Sequence, residues 1–251
     1  MTILRVSSSS KMKSYIKSHR IGEIALNNQG LKMEIVEYLS ATDISVRFKD
    51  GTIVKNKQYG SFTRGKILNN NSPSVESIGF LGYGKYYGIT YTKFLTTWSS
   101  MLSRCYGSYS SKNLPTYKDC TVDPRWHNFQ NFAAWFEENY VENWHLDKDI
   151  LVSGNKIYGP DTCCFVPSQI NAQFRKSREP RYSKGVSKHK NKFNVYLSIE
   201  GTAVYIGTSY SLEEAIEIQS KAKKELLFSL AEKYKEKLDY RVYNILTLNL
   251  K

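Results

Sequence analysis

The sequence predicts an α+β chain of small modules: a small N-terminal β-barrel, a central module ordered strand, turn, strand, helix, and a C-terminal three-stranded antiparallel sheet packed on a helix. Three observations carry this expectation. Short β-prone runs between turn residues fill the first third of the chain. Apolar residues recur at three- and four-residue spacings in the middle. Strict alternation after Gly185 then gives way to a helix-capping sequence at Ser211.

Residues 1–20, with Ser7 to Ser10 and Lys11, Lys13, Lys17 and Arg20, read as a flexible basic arm. In 21–75, Met33, Ile35, Val36, Tyr38 and Leu39, then Ile44, Val46 and Phe48, are short strands separated by Asn27 to Gly30 and by Asp50-Gly51. Runs that short suit a five-stranded barrel closing near Ile67, before the linker Asn69-Asn70-Asn71-Ser72-Pro73.

In 76–178, Phe94, Trp98, Met101, Leu102 and Cys105 line one face of a helix ending near Gly107. A second helix after Trp126 buries Phe129, Phe132, Ala133 and Phe136. His145 to Ile150, a turn through Gly154 and Asn155, Cys163 to Pro167 and a helix from Ser168 complete the strand, turn, strand and helix.

In 179–251, Val186, Phe193, Val195, Leu197 and Ile199, then Val204 and Ile206, alternate as three strands. Ser211 with Glu214 forms a capping box opening a helix with Ala215, Ile218, Ala222 and Leu226 on one face.

The net charge of +13 is divided unevenly. Residues 1–75 hold twelve cations against five acids, 76–175 hold nine of each, and 176–251 hold fifteen against nine. Cationic ends around a neutral middle fit two flanking modules that neutralise phosphates and a centre that keeps acids for a divalent cation. The simpler alternative is that the charge serves solubility alone. No apolar run reaches the roughly 20 residues of a membrane span, and residues 1–20 lack a signal-like apolar stretch, so a soluble cytoplasmic protein with no membrane partner is expected. The thiols of Cys105, Cys120, Cys163 and Cys164 show no Cys-x-x-Cys spacing. Buried thiols are the expectation; a structural zinc would need Cys105, Cys120 and one of the adjacent pair.

Trp98 to Tyr106, Tyr117 to Val122, Trp126 to Phe129, Leu146-Asp147-Lys148-Asp149 and Cys163 to Pro167, in that order over about 90 residues, resemble phage-encoded HNH endonucleases of the homing type. The resemblance implies a ββα-metal fold, Mg²⁺ or Mn²⁺ as cofactor, and a host-cell cytoplasm during phage infection or prophage carriage. It places Asp147 at the metal-binding acid, Lys148 where the family has its His, Thr162 at the central Asn and Asn171 at the terminal Asn. Asp147, Asp149 and Thr162 then form the expected metal set. Asp147, Lys148 and His145 form the expected catalytic set, supported by Asn155 and Asn171.

A lysine at its ordinary pKa near 10.4 accepts no proton at neutral pH, so Lys148 must be desolvated to act as a base or else hold a phosphate as a fixed cation. His145, two residues from Asp147 on one strand face, offers a second route. Without the resemblance, the same residues read as a surface salt-bridge patch.

Gly185-Val186 through Gly207 and the following helix resemble the ethylene-response-factor type of DNA-binding domain, which reads the major groove with its sheet. That likeness implies double-stranded DNA as partner, with Lys184, Lys188, Lys190, Lys192, Tyr196 and Tyr205 as contacts. A metal-dependent DNA endonuclease leads. A non-cleaving DNA-binding regulator and a factor acting on a host protein are the alternatives, and self-association is left open.

Overall fold

The computed structural model describes residues 19–108, 117–175 and 182–248. The basic arm up to residue 18 lies outside them. The chain is mixed α+β and divides into two compact units, residues 1–74 with 80–83 and residues 75–79 with 84–251.

The first unit is an antiparallel meander of β1 (Ile24–Leu26), β2 (Lys32–Ser40), β3 (Asp43–Phe48) and β4 (Ile53–Lys57), hydrogen-bonded in that order. Strand alternation sends Met33 and Ile35 inward against Ile44, Val46 and Phe48. Plain alternation would turn Tyr38 outward, but the pairing slips at Val36, where Ile35 faces Val46 and Glu37 faces Ser45. That bulge resets the parity and buries Tyr38.

The expected barrel had five strands; here four are followed by the short helix α1 (Tyr59–Thr63), which drops Phe62 into the core. No pairing closes β4 onto β1 among the described residues. Asn27 ties the ends together: its Oδ1 accepts the N–H groups of Gln29 and Leu31, each at 2.9 Å, and its Nδ2 donates to the Ile67 carbonyl at 3.0 Å. Gly65 has φ +66°, and a Cβ there would meet the Asn28 side-chain oxygen at 2.7 Å.

The second unit begins with a 3₁₀ turn (Ile89–Tyr91) running into α2 (Thr92–Tyr106), which packs on α3 (Phe129–Asn139). The helices meet as the apolar spacing requires, with Trp98, Met101, Leu102, Phe129, Phe132, Ala133 and Phe136 buried. Trp98 is fully buried, and its indole N–H donates to the Trp126 carbonyl at 2.7 Å. Asn128 caps α3 by accepting the Gln130 N–H.

Next come β5 (Thr121–Val122) parallel to β7 (Ile157–Tyr158), and β6 (His145–Asp147) antiparallel to β8 (Cys164–Val166), followed by α4 (Ser168–Phe174). The expected strand, turn, strand and helix is therefore β6, β8 and α4, with β7 in the intervening turn.

The last part is the expected three-stranded antiparallel sheet, β9 (Val186–His189), β10 (Lys192–Ile199) and β11 (Thr202–Ser209), with β10 central. Helix α5 (Leu212–Tyr234) lies against it and α6 (Tyr240–Leu248) folds back. Ser211 caps α5 by accepting the Glu214 N–H. The other half of the capping box is rearranged: the Glu214 carboxylate takes the Ser209 hydroxyl, and Ser209 Oγ accepts the Ser211 N–H at 3.0 Å.

Helix α5 serves two cores. Its start, at Ala215 and Ile218, packs on Val186, Val195 and Phe193 of the sheet. Its end, at Leu227, Leu230 and Ala231, joins Ile150, Cys164, Val166 and Ile170, with Leu238, Val242 and Leu246 from α6 and its lead-in.

Candidate functional site

The register His145↔Val166, Leu146↔Phe165, Asp147↔Cys164 fixes the ββα element. Asp147 ends β6, and its Oδ1 accepts the backbone N–H groups of Asp149 at 2.7 Å and Ile150 at 2.9 Å, which folds the chain into a tight turn. Burial pushes the Asp147 carboxyl above its ordinary pKa, while the two N–H donors pull the other way. Its second oxygen has no hydrogen-bond partner among the described residues. His145 is exposed at the start of β6, on the Asp147 face by strand alternation.

Lys148 turns inward. Its side chain is 7% exposed, and Nζ donates to Asp149 Oδ1 at 2.7 Å and to the Asn155 carbonyl at 3.0 Å, lying 5.7 Å from the Tyr158 ring centroid. Asn155 answers by donating Nδ2 to the carbonyls of Lys148 (2.9 Å) and Ile157 (2.7 Å). Lys148 and Asn155 thus lock the turn between β6 and β7, which commits the amine to Asp149 and the Asn155 carbonyl.

Thr162 donates its hydroxyl to the Ile157 carbonyl at 2.8 Å. Asn171 lies in the first turn of α4, where its N–H bonds the Pro167 carbonyl. The three expected metal ligands are not assembled: Asp149 is turned to Lys148 and Thr162 to a carbonyl, and the described residues hold no group of three His, Cys, Asp or Glu side chains able to enclose an ion. A magnesium ion takes one or two carboxylates and completes its shell with water and substrate phosphate, so Asp147 alone meets the minimum.

All four cysteines are free thiols, three buried and Cys105 half-buried. Burial pushes Cys105 and Cys163 up to about 12 and Cys164 further. An unexpected neighbour comes from α6. Arg241, held by Asp239 at 2.6 Å, donates to the Asp161 carbonyl at 3.1 Å and reaches the Cys163 carbonyl at 3.5 Å. Nothing in local spacing pairs positions some eighty residues apart.

The three-stranded sheet is asymmetric. Val186, Phe193, Val195 and Leu197 face α5. The opposite face carries the rows Ser187, Asn194, Thr208 and Tyr196, Tyr205, with His189 beside Lys192. Tyr196 and Tyr205 meet edge to face at 5.8 Å, and Thr208 Oγ1 lies 3.1 Å from Asn194 Oδ1. A bulge between Val195 and Tyr196 lets Ile206 and Gly207 both turn to the helix while Tyr205 and Thr208 stay outside. Gly185 (φ +86°) makes room for this arrangement, since a Cβ there would stand 2.3 Å from the Tyr196 carbonyl.

Of the six expected contacts, Lys192, Tyr196 and Tyr205 lie on the open face. Lys188 shares the Val186 side, with Nζ 5.8 Å from the Phe193 ring. Lys190 sits in the β9–β10 turn at φ +54°, and Lys184 donates to the Arg175 carbonyl at 3.1 Å. His189, Asn194 and Thr208 share that open face, and alternation counted outward from the buried Val195 finds Asn194.

No family model, curated protein or solved structure matches this chain. No helix among the described residues is long and apolar enough to cross a membrane.

Proposed function

We propose that this chain is a double-stranded-DNA-binding protein built on an HNH-nuclease-like ββα frame, and that it engages the duplex with the open face of its C-terminal sheet. The observation that carries this reading is the asymmetry of that sheet: one face is packed on α5, while the other presents Asn194, Thr208, Tyr196, Tyr205, His189 and Lys192 together. A β-ribbon or sheet of this width fits the major groove, where Asn pairs with adenine edges and Lys with guanine or phosphate. The cationic balance of the chain's two ends supplies the backbone term.

Gel-shift titrations across a salt series test it. Affinity is expected to fall steeply with salt, and Asn194→Ala with Tyr205→Ala is expected to cost about tenfold or more, each base contact contributing roughly 1–3 kcal/mol. Binding indifferent to salt would favour a protein partner instead.

A second reading, metal-dependent cleavage, is favoured by the second carboxylate oxygen of Asp147 and by His145 on the same strand face. Asp147 would hold Mg²⁺ or Mn²⁺, whose chemistry is to stabilise charge on the phosphate. His145 is then the group placed to take a proton, and Lys148 holds the turn. Plasmid nicking in Mg²⁺ or Mn²⁺ that disappears in Asp147→Asn establishes cleavage; duplex binding without nicking in either ion leaves a non-cleaving binder.

A further inference from the structure

The two edges of the three-stranded sheet differ in charge. Strand β9, at one edge, is preceded by Lys184, carries Lys188 and runs into Lys190. Strand β11, at the other, holds no Lys or Arg, and at its end the Ser209 hydroxyl donates to the carboxylate of Glu214.

Helix α5 continues the division. With Ala215 packed on the sheet, a step of about 100° per residue sets Glu214 on one flank and Gln219 and Lys223 on the other. The Gln219 flank is the β9 side, since a Cβ on Gly185 would stand 3.3 Å from Gln219 Cγ. One turn further along, Lys223 therefore comes beside Lys184.

Lys223 is half-buried and has no hydrogen bond or ion pair among the described residues. Burial, and then the charge of Lys184, hold its ammonium below the ordinary lysine value, and no acid among the described residues pulls it back up. Lys184 itself reaches a carbonyl, that of Arg175 at 3.1 Å, and no carboxylate. Two ammonium groups held side by side without an acid carry an electrostatic cost that a bound anion removes.

The position of these cations says which anion. Lys188 lies on the Val186 side of the sheet, with Nζ 5.8 Å from the Phe193 ring, so it shares the α5 side of the β9 edge with Lys223. Three strands about 4.8 Å apart span about 10 Å, and a B-form major groove is about 12 Å wide and about 8.5 Å deep. When the open face meets the base edges on the groove floor, the phosphate ridges rise beside the two sheet edges to the level of the helix layer. Cations on the α5 side of an edge are thus at phosphate height, although they are absent from the open face.

We infer that the β9 edge grips the phosphate backbone of one DNA strand through Lys184, Lys188 and Lys223, while the β11 edge makes no backbone contact, an inference that rests on the duplex-binding reading. It assigns Lys223 to the interface and makes the sheet's hold on the groove one-sided.

Gel-shift titrations of the full chain on one duplex, over a salt series, test it. Each phosphate contact adds about 0.9 to the slope of log affinity against log salt. Lys223→Gln and the fully exposed Lys188→Gln are each expected to lower the slope by about 0.9 and to weaken binding alike on unrelated sequences. Lys223→Arg is expected to keep the wild-type slope. Lys221→Gln removes the same charge from the opposite flank of α5 and is expected to leave the slope unchanged. Thr202→Glu, on β11, is expected to change affinity less than about twofold where Lys188→Glu costs about tenfold. If either Lys223→Gln or Lys188→Gln keeps the full slope, or Lys221→Gln lowers it as much, the grip is overturned while duplex binding stands. If Thr202→Glu weakens binding as much as Lys188→Glu, both edges meet backbone and the one-sided hold is overturned. A wild type that binds no duplex, or binds it indifferently to salt, removes the duplex reading and the grip together.

Discussion

The four-stranded sheet of the first unit has nine buried residues behind it, from Met33 to Ile67, whereas the three-stranded sheet of the second rests on Val186, Val195 and Ala215. The first sheet is a fold in its own right. The second keeps one face open, and the layer between it and α5 is thin and mostly half-buried, less than an isolated small sheet needs for independent stability. It is held by α5, whose far end is rooted among Ile150, Val166, Ile170 and Val242. One face of the sheet is left bare here by borrowing stability from a neighbouring core through one helix.

That contrast can be broken deliberately. Phe62→Ala, at a fully buried position of the first unit, is expected to cost about 3–5 kcal/mol. Hydrogen exchange should place the loss in β1 to β4, with the protection of β9 to β11 unchanged. Leu230→Ala is expected to cost about 2–5 kcal/mol and to behave oppositely. It touches only the ββα core, yet exchange should rise in β9 to β11, and duplex affinity should fall although Leu230 is far along α5 from the open face.

Smaller effects sharpen the same distinction. Lys148→Met removes the donor to Asp149 and to the Asn155 carbonyl, and is expected to cost about 1–3 kcal/mol in urea unfolding, with duplex affinity preserved. A loss of affinity larger than the loss of stability would mean that the amine reaches DNA. Ser211→Ala is expected to cost about 1 kcal/mol, read as fraying of the first turn of α5 by exchange.

The residues that made the fold legible were those whose neighbours in sequence are also neighbours in space. Ile44, Val46 and Phe48 alternate because one strand has one buried face, and Trp98, Met101 and Leu102 recur because one helix has one. Where a second constraint acts, the pattern misleads. Tyr59 to Thr63 is too short to show any period, and the pocket that takes Phe62 makes it helix.

The apolar stripe of helix α5 turns: Ala215, Ile218, Ala222 and Leu226 lie on one side, while Leu227, Leu230, Ala231 and Tyr234 lie about a third of a turn around. A stripe that rotates marks a helix with two clients.

In the candidate site, the β6, β8, α4 order is legible from local pattern, whereas Asp147 is singled out only by the family resemblance. The inward turn of Lys148 is not legible, because β6 ends at Asp147 and alternation ends with it. Arg241 was illegible for a different reason, since only the fold brings α6 to Cys163.

Helix α5 also acts as a ruler. From the midpoint of Ala215 and Ile218 to the centre of Leu227, Leu230 and Ala231 is about 13 residues, or about 19 Å at the helical rise. Along B-form DNA that distance is about five to six base pairs, close to half a helical turn. A sheet seated in one groove would thus hold the ββα element over the duplex about half a turn away. Inserting four residues into α5 would lengthen that span by about 6 Å, nearly two base pairs, turn its two ends about 40° against each other, and strain the bond from Gln173 Nε2 to the Ser198 carbonyl that ties α4 directly to the sheet.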